Sequence, residues 1–536
     1  NINLAANSTI TNSLSNTVTF GAISGSAGLT FTNTSIGTSY IVLSGNNTYS
    51  GGLTLNSGQI RLDSATALGS GTFTINGGTF DNGSGAVLTN ANNNSMIWGG
   101  NFTFAGSTNY HMGTGSVNLS GNRTITVNAN QLTVGGAITN SGQLTKAGAG
   151  TLLLDTNNSY SGGTVINAGM LAIGSSSALG SGGVTINGGA LAASGTSRTV
   201  TNAITVGGDF QLGGASYSMT VSNVNLGGST RTIFFNNSAT LGGAMTNGSV
   251  ILDTGNSART FTINSSGSFT GSSLTLKGGS LIMNGTVATN TAVDISAASM
   301  VATNDISANG SSSVTYGSLA GGANATLALG AKNLTVGGNG TTTSFAGAAS
   351  GVGGSITKVG AGTMTFSGTS TYDGATTVSG GKFVMNGTNT ASAVTVGSGA
   401  SLGGSGRLGT LTLNGTLAPG NSVGTLTVGN TTFGAGAGYD LEMYNFAGAA
   451  GTGWDLLSVG GDLAVNSTSA NPFTINLFSM SSSTTRGSAI GFNPDVNWTN
   501  NFATYSGTLS GFDASKFTVN IGSFSNTVNG TFSVIT

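Results

Sequence analysis

One histidine, 14 carboxylates and 13 lysines and arginines are the groups available for acid–base or metal chemistry among 536 residues. His111, in Asn109-Tyr110-His111-Met112, is a general base or metal ligand only if other groups converge on it, and a lone histidine on a strand is ordinarily structural. Gly420-Asn421-Ser422-Val423-Gly424 matches the G-x-S-x-G nucleophile pattern, which works only at a strand–turn–helix junction with His and Asp partners. No helical stretch follows it. The densest acidic group is Asp440, Glu442, Asp455 and Asp462, with no basic residue between Arg407 and Arg486. Hard carboxylate oxygens suit calcium, so these four are the candidate metal ligands, although neither EF-hand nor acidic nonapeptide spacing is present. Asp63 and Asp81 fall at the separation of neighbouring coils in a β-helix. They are a candidate pair for the two-carboxylate chemistry of a polysaccharide-active enzyme, although the aspartates of the solenoid show no repeated pairing.

The elements that would carry these residues are strands. Phe73-Thr74-Ile75 and Leu411-Thr412-Leu413 typify short apolar–polar alternations, bounded by Asn-Gly and Gly-Gly dipeptides. A period of two with β-branched residues reads as strand, and the dipeptides read as turns. Glycine contributes 93 residues and proline 3; 37% of residues are hydrophobic, 5% are charged, and mean hydropathy is +0.18. Disordered chains combine low hydrophobicity with high net charge, so the expectation is an ordered all-β fold.

Four segments repeat an aromatic residue, a small-residue turn and an alternating strand: Tyr49 to Leu55, Tyr160 to Ile166, Phe269 to Leu276 and Tyr372 to Val378. Their separations are 160−49 = 111, 269−160 = 109 and 372−269 = 103 residues. Self-similarity of this kind signals stacked repeats that bury their apolar edges against neighbours. At roughly 20 residues per coil of a parallel β-helix, the copies stand about five coils apart, and the stretch to residue 430 makes about 20 coils. The predicted organisation is a β-solenoid over residues 1–430 and a smaller β-rich domain over 431–536. All three prolines and the only glutamate, Glu442, lie at or beyond Pro419.

Composition excludes several function classes. Net charge is −1, whereas a nucleic-acid partner needs a basic face. No apolar run reaches the roughly 20 residues of a membrane span. Cysteine is absent, so neither disulfides nor thiolate sites contribute. Residues 1–60 contain no Asp, Glu, Lys, Arg or His, and the chain opens without Met or a signal-like segment, as a processed product or a fragment would.

Leu144-Thr145-Lys146-Ala147-Gly148-Ala149-Gly150-Thr151-Leu152 precedes the second aromatic copy, and Ile356-Thr357-Lys358-Val359-Gly360-Ala361-Gly362-Thr363-Met364 precedes the fourth. With the following Tyr-Ser-Gly-Gly type of turn, this pattern resembles the autotransporter-associated β-strand repeat. That repeat occurs in passenger domains of type V secreted proteins and in exosortase-sorted surface proteins of Gram-negative bacteria. Leu417-Ala418-Pro419-Gly420-Asn421-Ser422 is similar to the Pro-Gly-Asn-Ser turn that closes many such passengers. The resemblance implies a secreted or cell-surface, right-handed parallel β-helix. No stretch here would form a translocator barrel, which favours the exosortase-sorted type.

Three functional classes follow. The expected one is a non-catalytic extracellular structural protein, a homo-polymer assembling head to tail into a fibre or surface layer. In it an alternating strand is donated between subunits, through Ile2, Leu4, Ile10 and Leu14 at one end and Phe532, Val534 and Ile535 at the other. No cofactor is expected other than the calcium considered above. The second class is a monomeric adhesin touching a cell surface or glycan, with Trp98, Tyr110, Trp454 and Trp498 as stacking candidates. The third is the polysaccharide-active enzyme.

Overall fold

In a computed structural model covering residues 2–12, 16–33, 40–255, 258–296 and 300–536, the alternating segments become short strands joined by tight turns. Two compact units are distinguished. One comprises Asn1–Gly255 with Arg259–Ser268, the other Phe269–Thr536 with Asn256–Ala258. Each is a β-solenoid.

In the first unit parallel register advances by one coil at a time, from Leu144 to Thr164, Val184, Ile204 and Val224. Each step is 20 residues, the coil length expected of a parallel β-helix. The inward side is a column of like side chains. Leu152, Leu171, Leu191 and Leu212 lie in register on successive coils, and all are buried. Stacking identical shapes fills the core without voids and lets one short strand specify the position of the next. Outward positions are laddered by amides: Asn187 Nδ2 donates to Asn167 Oδ1 at 2.9 Å, and Asn76 Nδ2 to Asn56 Oδ1 at 2.9 Å. Near-absence of charge suits this geometry, because like charges stacked in parallel register would repel.

Turn carbonyls left over at the corners are collected by asparagines of the next coil. Asn202 Nδ2 reaches Gly180 O at 3.0 Å and Gly182 O at 2.7 Å. Asn309 Nδ2 does the same for Met283 O and Gly285 O, both at 2.8 Å. Buried main-chain acceptors are thus served without regular secondary structure at the corners.

The second unit repeats the plan and then departs from it. Its register steps from Ile356 to Thr376, Val394, Leu411 and Thr431, and then by longer strides to Leu463 and Leu509. Parallel pairing therefore runs through residue 430 without interruption: Thr416–Pro419 pairs with Gly438–Met443, which pairs with Phe473–Ser482. The compositional change after 430 corresponds to loops inserted between coils, chiefly around residues 444–455 and 483–502. Among the described residues helix is confined to the single turn Ala514–Lys516, and no helix is long and apolar enough to cross a membrane.

Candidate functional site

Three sets of residues are candidates: the repeat motifs, the acidic group, and the strands that begin and close the described solenoids.

The repeat motifs build a buried ammonium site. Leu144 and Lys146 share the inward parity of the strand Leu144–Ala147, so the lysine enters the core and is fully buried. Its Nζ donates to Ala147 O at 2.8 Å, Gly148 O at 2.7 Å and Ala168 O at 3.1 Å. Lys358 is held identically by Val359 O at 2.8 Å, Gly360 O at 3.0 Å and Gly380 O at 3.1 Å. The glycines after each lysine have positive φ, 77° at Gly148 and 71° at Gly360, which aims their carbonyls inward. Burial pushes the Lys146 ammonium down to about 8 and lowers that of Lys358 in the same direction. The aromatic landmarks are core elements too: Tyr49, Tyr160, Phe269 and Tyr372 are all buried. Tyr160 Oη lies 2.6 Å from Thr164 Oγ1, and Tyr372 Oη 2.7 Å from Thr376 Oγ1.

The acidic residues are dispersed among separate partners. Asp440 Oδ1 accepts from Asn476 Nδ2 at 2.8 Å, in a ladder that continues from Asn520 Nδ2 to Asn476 Oδ1 at 3.0 Å. Asp462 Oδ1 accepts from Thr508 N at 2.7 Å. Glu442 Oε1 pairs with Arg486 at 3.3 Å, and its Oε2 receives the Ser422 hydroxyl at 3.0 Å. Asp455 is buried, accepting from Gly424 N and Glu442 N, each at 2.9 Å. Among the described residues no group of three or more His, Cys, Asp or Glu side chains converges as a metal site, so the four calcium candidates do not form one cage. Ser422 therefore belongs to a clasp that ties the Pro-Gly-Asn-Ser turn to later coils. The ion pair Arg61–Asp63, at 2.7 Å, and the three donors from Gly106 and Ser107 on Asp81 likewise occupy the expected carboxylate pair. His111 Nδ1 accepts from Gly113 N at 2.9 Å, a local turn contact.

Asp455 has a measurable consequence. Burial, with Glu442 nearby, raises its carboxyl to about 8 against an ordinary 3.8, despite the two N–H donors. The folded state keeps a proton that the unfolded state loses, so stability of the closing coils falls as pH rises between those values. Asp455→Asn should flatten that slope in thermal unfolding followed from pH 4 to pH 8, and an unchanged slope would assign it to another group.

The first strands, β1 (Ile2–Leu4), β2 (Ser8–Asn12) and β3 (Val18–Phe20), each pair on one side, with Ile23–Gly25, Leu29–Asn33 and Ile41–Leu43. Among the described residues no second strand pairs with β1, with β3 or with Ser8–Thr11 of β2. Ile2 is 38% and Val18 39% exposed. Ile10 is half-buried, whereas Leu4 faces its own core, and Leu14 lies outside the described residues. At the other end Ala503–Tyr505, Leu509–Ser510 and Phe517–Ser523 pair backwards with Leu456–Val459, Leu463–Val465 and Phe473–Ser482. Their forward edges are unpartnered among the described residues, with Tyr505 43% and Ile521 41% exposed. Strand starts are offset by 6 and 10 residues in the first coil (2, 8, 18) and by 6 and 8 in the closing coil (503, 509, 517). None of these six strands contains a charged residue. Of the aromatic adhesin candidates, Trp98, Tyr110 and Trp454 are buried; Trp498 is half-buried, packed against Phe446 at 5.6 Å.

The family model of the Passenger-associated-transport-repeat matches residues 34–62, 144–173 and 356–385. Those segments are similar to the passenger-associated transport repeat. They cover under a fifth of the chain, include Tyr49, Tyr160 and Tyr372 with both caged lysines, and omit the Phe269 copy. The first begins in residues 34–39, outside the described region. The repeat points to a surface or secreted protein of passenger type, and the stacked coils are the corresponding β-helix. No curated protein and no solved structure matches the chain.

Proposed function

We propose that this chain is a non-catalytic structural protein of a Gram-negative cell surface or its surroundings, assembling head to tail into a fibre or layer. The observation that carries this reading is that the strands of the first and closing coils are uncharged, expose Ile2, Val18, Tyr505 and Ile521, and pair with strands on one side only among the described residues. Natural sheet proteins normally blunt such edges with charge, proline or a covering element. A second copy's first coil set on the closing coil would continue the parallel ladder, with β1 on Ala503–Tyr505, β2 on Leu509–Ser510 and β3 on Phe517–Ser523. The contact engages about 20 residues a side, near the lower bound for a standard stable interface. Main-chain hydrogen bonds supply the affinity, as in strand addition generally.

Negative-stain microscopy of the purified chain, with sedimentation over a hundredfold concentration range, tests the reading. Filaments or sheets that grow with concentration are expected. Isolated particles at every concentration would overturn it and favour a monomeric adhesin.

A further inference from the structure

Beyond the closing coil the chain turns back across the end of its own core. Ser525 N donates to Ser479 Oγ at 2.6 Å, and Asn526 exchanges two hydrogen bonds with the main chain of Ala489, at 2.7 and 3.0 Å. Asn529 Nδ2 reaches Asp495 Oδ1 at 2.9 Å. After that anchor the character of the segment changes. From Gly530 to Thr536 no hydrogen bond is made among the described residues, yet Phe532 and Val534 are half-buried between exposed Thr531, Ser533 and Ile535. This is a strand's alternation without a strand's ladder. Those two side chains help enclose a cavity of about 650 Å³, whose walls include Phe433, Leu441, Leu477 and Val519. The apolar core is thus left incompletely filled where the segment covers it.

We propose that Gly530–Thr536 is a displaceable plug, occupying the closing coil until the first coil of a second copy takes its place. The inference rests on the head-to-tail reading and adds its regulation. Three features favour displacement over a permanent cap. The plug is held by side chains alone, so leaving costs no main-chain hydrogen bonds, whereas the incoming strands supply a new set along Phe517–Ser523. It fills the space poorly, while a coil in register packs as the coils beneath it do. The strands that meet carry no charge, the nearest charged residues of the closing coil being Asp513 and Lys516 in the turn before Phe517, so the ladder itself desolvates no ion. The occupant is a second copy because strand number, offsets and contact size of its first coil fit the closing coil.

The test compares assembly of the full chain, a deletion of residues 530–536 and the variant Phe532→Ser, by light scattering with and without sheared seeds. Loss of the lag and at least a tenfold lower critical concentration are expected for the deletion, with Phe532→Ser intermediate. Circular dichroism melting confirms that both variants fold. If the variants assemble with the lag and critical concentration of the full chain, or assemble less well, the plug is refuted while head-to-tail assembly stands. If none of the three assembles, the functional reading itself fails.

Discussion

Deleting residues 1–14 abolishes assembly and leaves a soluble, folded chain: that is the expected result at the opposite end of the interface. The deletion removes β1 and β2, two of the three strands proposed to seat on the closing coil. In a solenoid each coil contacts only its neighbours, so the loss is confined to the first coils and the remainder keeps its ladder. The critical concentration should rise at least a hundredfold, from loss of most main-chain bonds and apolar contact at the junction. Ile2→Lys with Val18→Lys offers a gentler form of the same test, since a cation on an exposed edge opposes pairing without removing chain. Both are read by sedimentation and negative stain, with far-ultraviolet circular dichroism as the folding control. Filaments of normal length from the deletion would remove β1 and β2 from the interface.

Much of this architecture was legible in residue order, and the reason is physical. In a parallel stack the inward and outward positions alternate strictly, so Leu411-Thr412-Leu413 reads as strand from three residues, and its burial follows that alternation. The aromatic copies marked the chain as a repeated stack, and the 20-residue register step agrees with the coil length ordinary for a parallel β-helix. Lys146 and Lys358 were visible within the motif, and their inward parity with Leu144 and Ile356 was the unused signal of a buried ammonium. What spacing could not reveal was where inserted loops fold back. Asp455 follows Trp454 in such a loop and is drawn beneath the Pro-Gly-Asn-Ser turn, while Asp440 remains on the outward ladder with Asn476. Proximity along the chain therefore suggested a calcium cage that topology disperses. The compositional break near residue 430 was legible as a change, and the paired strands on either side of it attribute that change to loops.

Lys146→Met should destabilise the repeat strongly, although it replaces a buried ion with an apolar side chain. An ammonium desolvated without a carboxylate partner is costly, and replacing buried ions with apolar groups is often neutral elsewhere. Here the outcome is decided by what the lysine leaves behind. Gly148 at φ 77° and Gly169 at φ 64° fix the turns that direct carbonyls toward Nζ, and these cannot turn to water without unwinding the corner. Three acceptors stripped of a charged donor, at the lower end of about 1 kcal/mol each, make a loss of roughly 3 kcal/mol. Because coils communicate only with neighbours, the loss should appear first as faster amide exchange in Leu144–Ala147 and Thr164–Ile166. The pH dependence provides an independent check. With its ammonium held down to about 8 against an ordinary 10.5, Lys146 binds fewer protons folded than unfolded between those values. Stability therefore rises with pH across that window. Lys146→Met should lower stability at pH 7 and also erase its share of the rise. A variant as stable as the parent, with the alkaline rise intact, would reduce the caged lysine to a passenger in the turn.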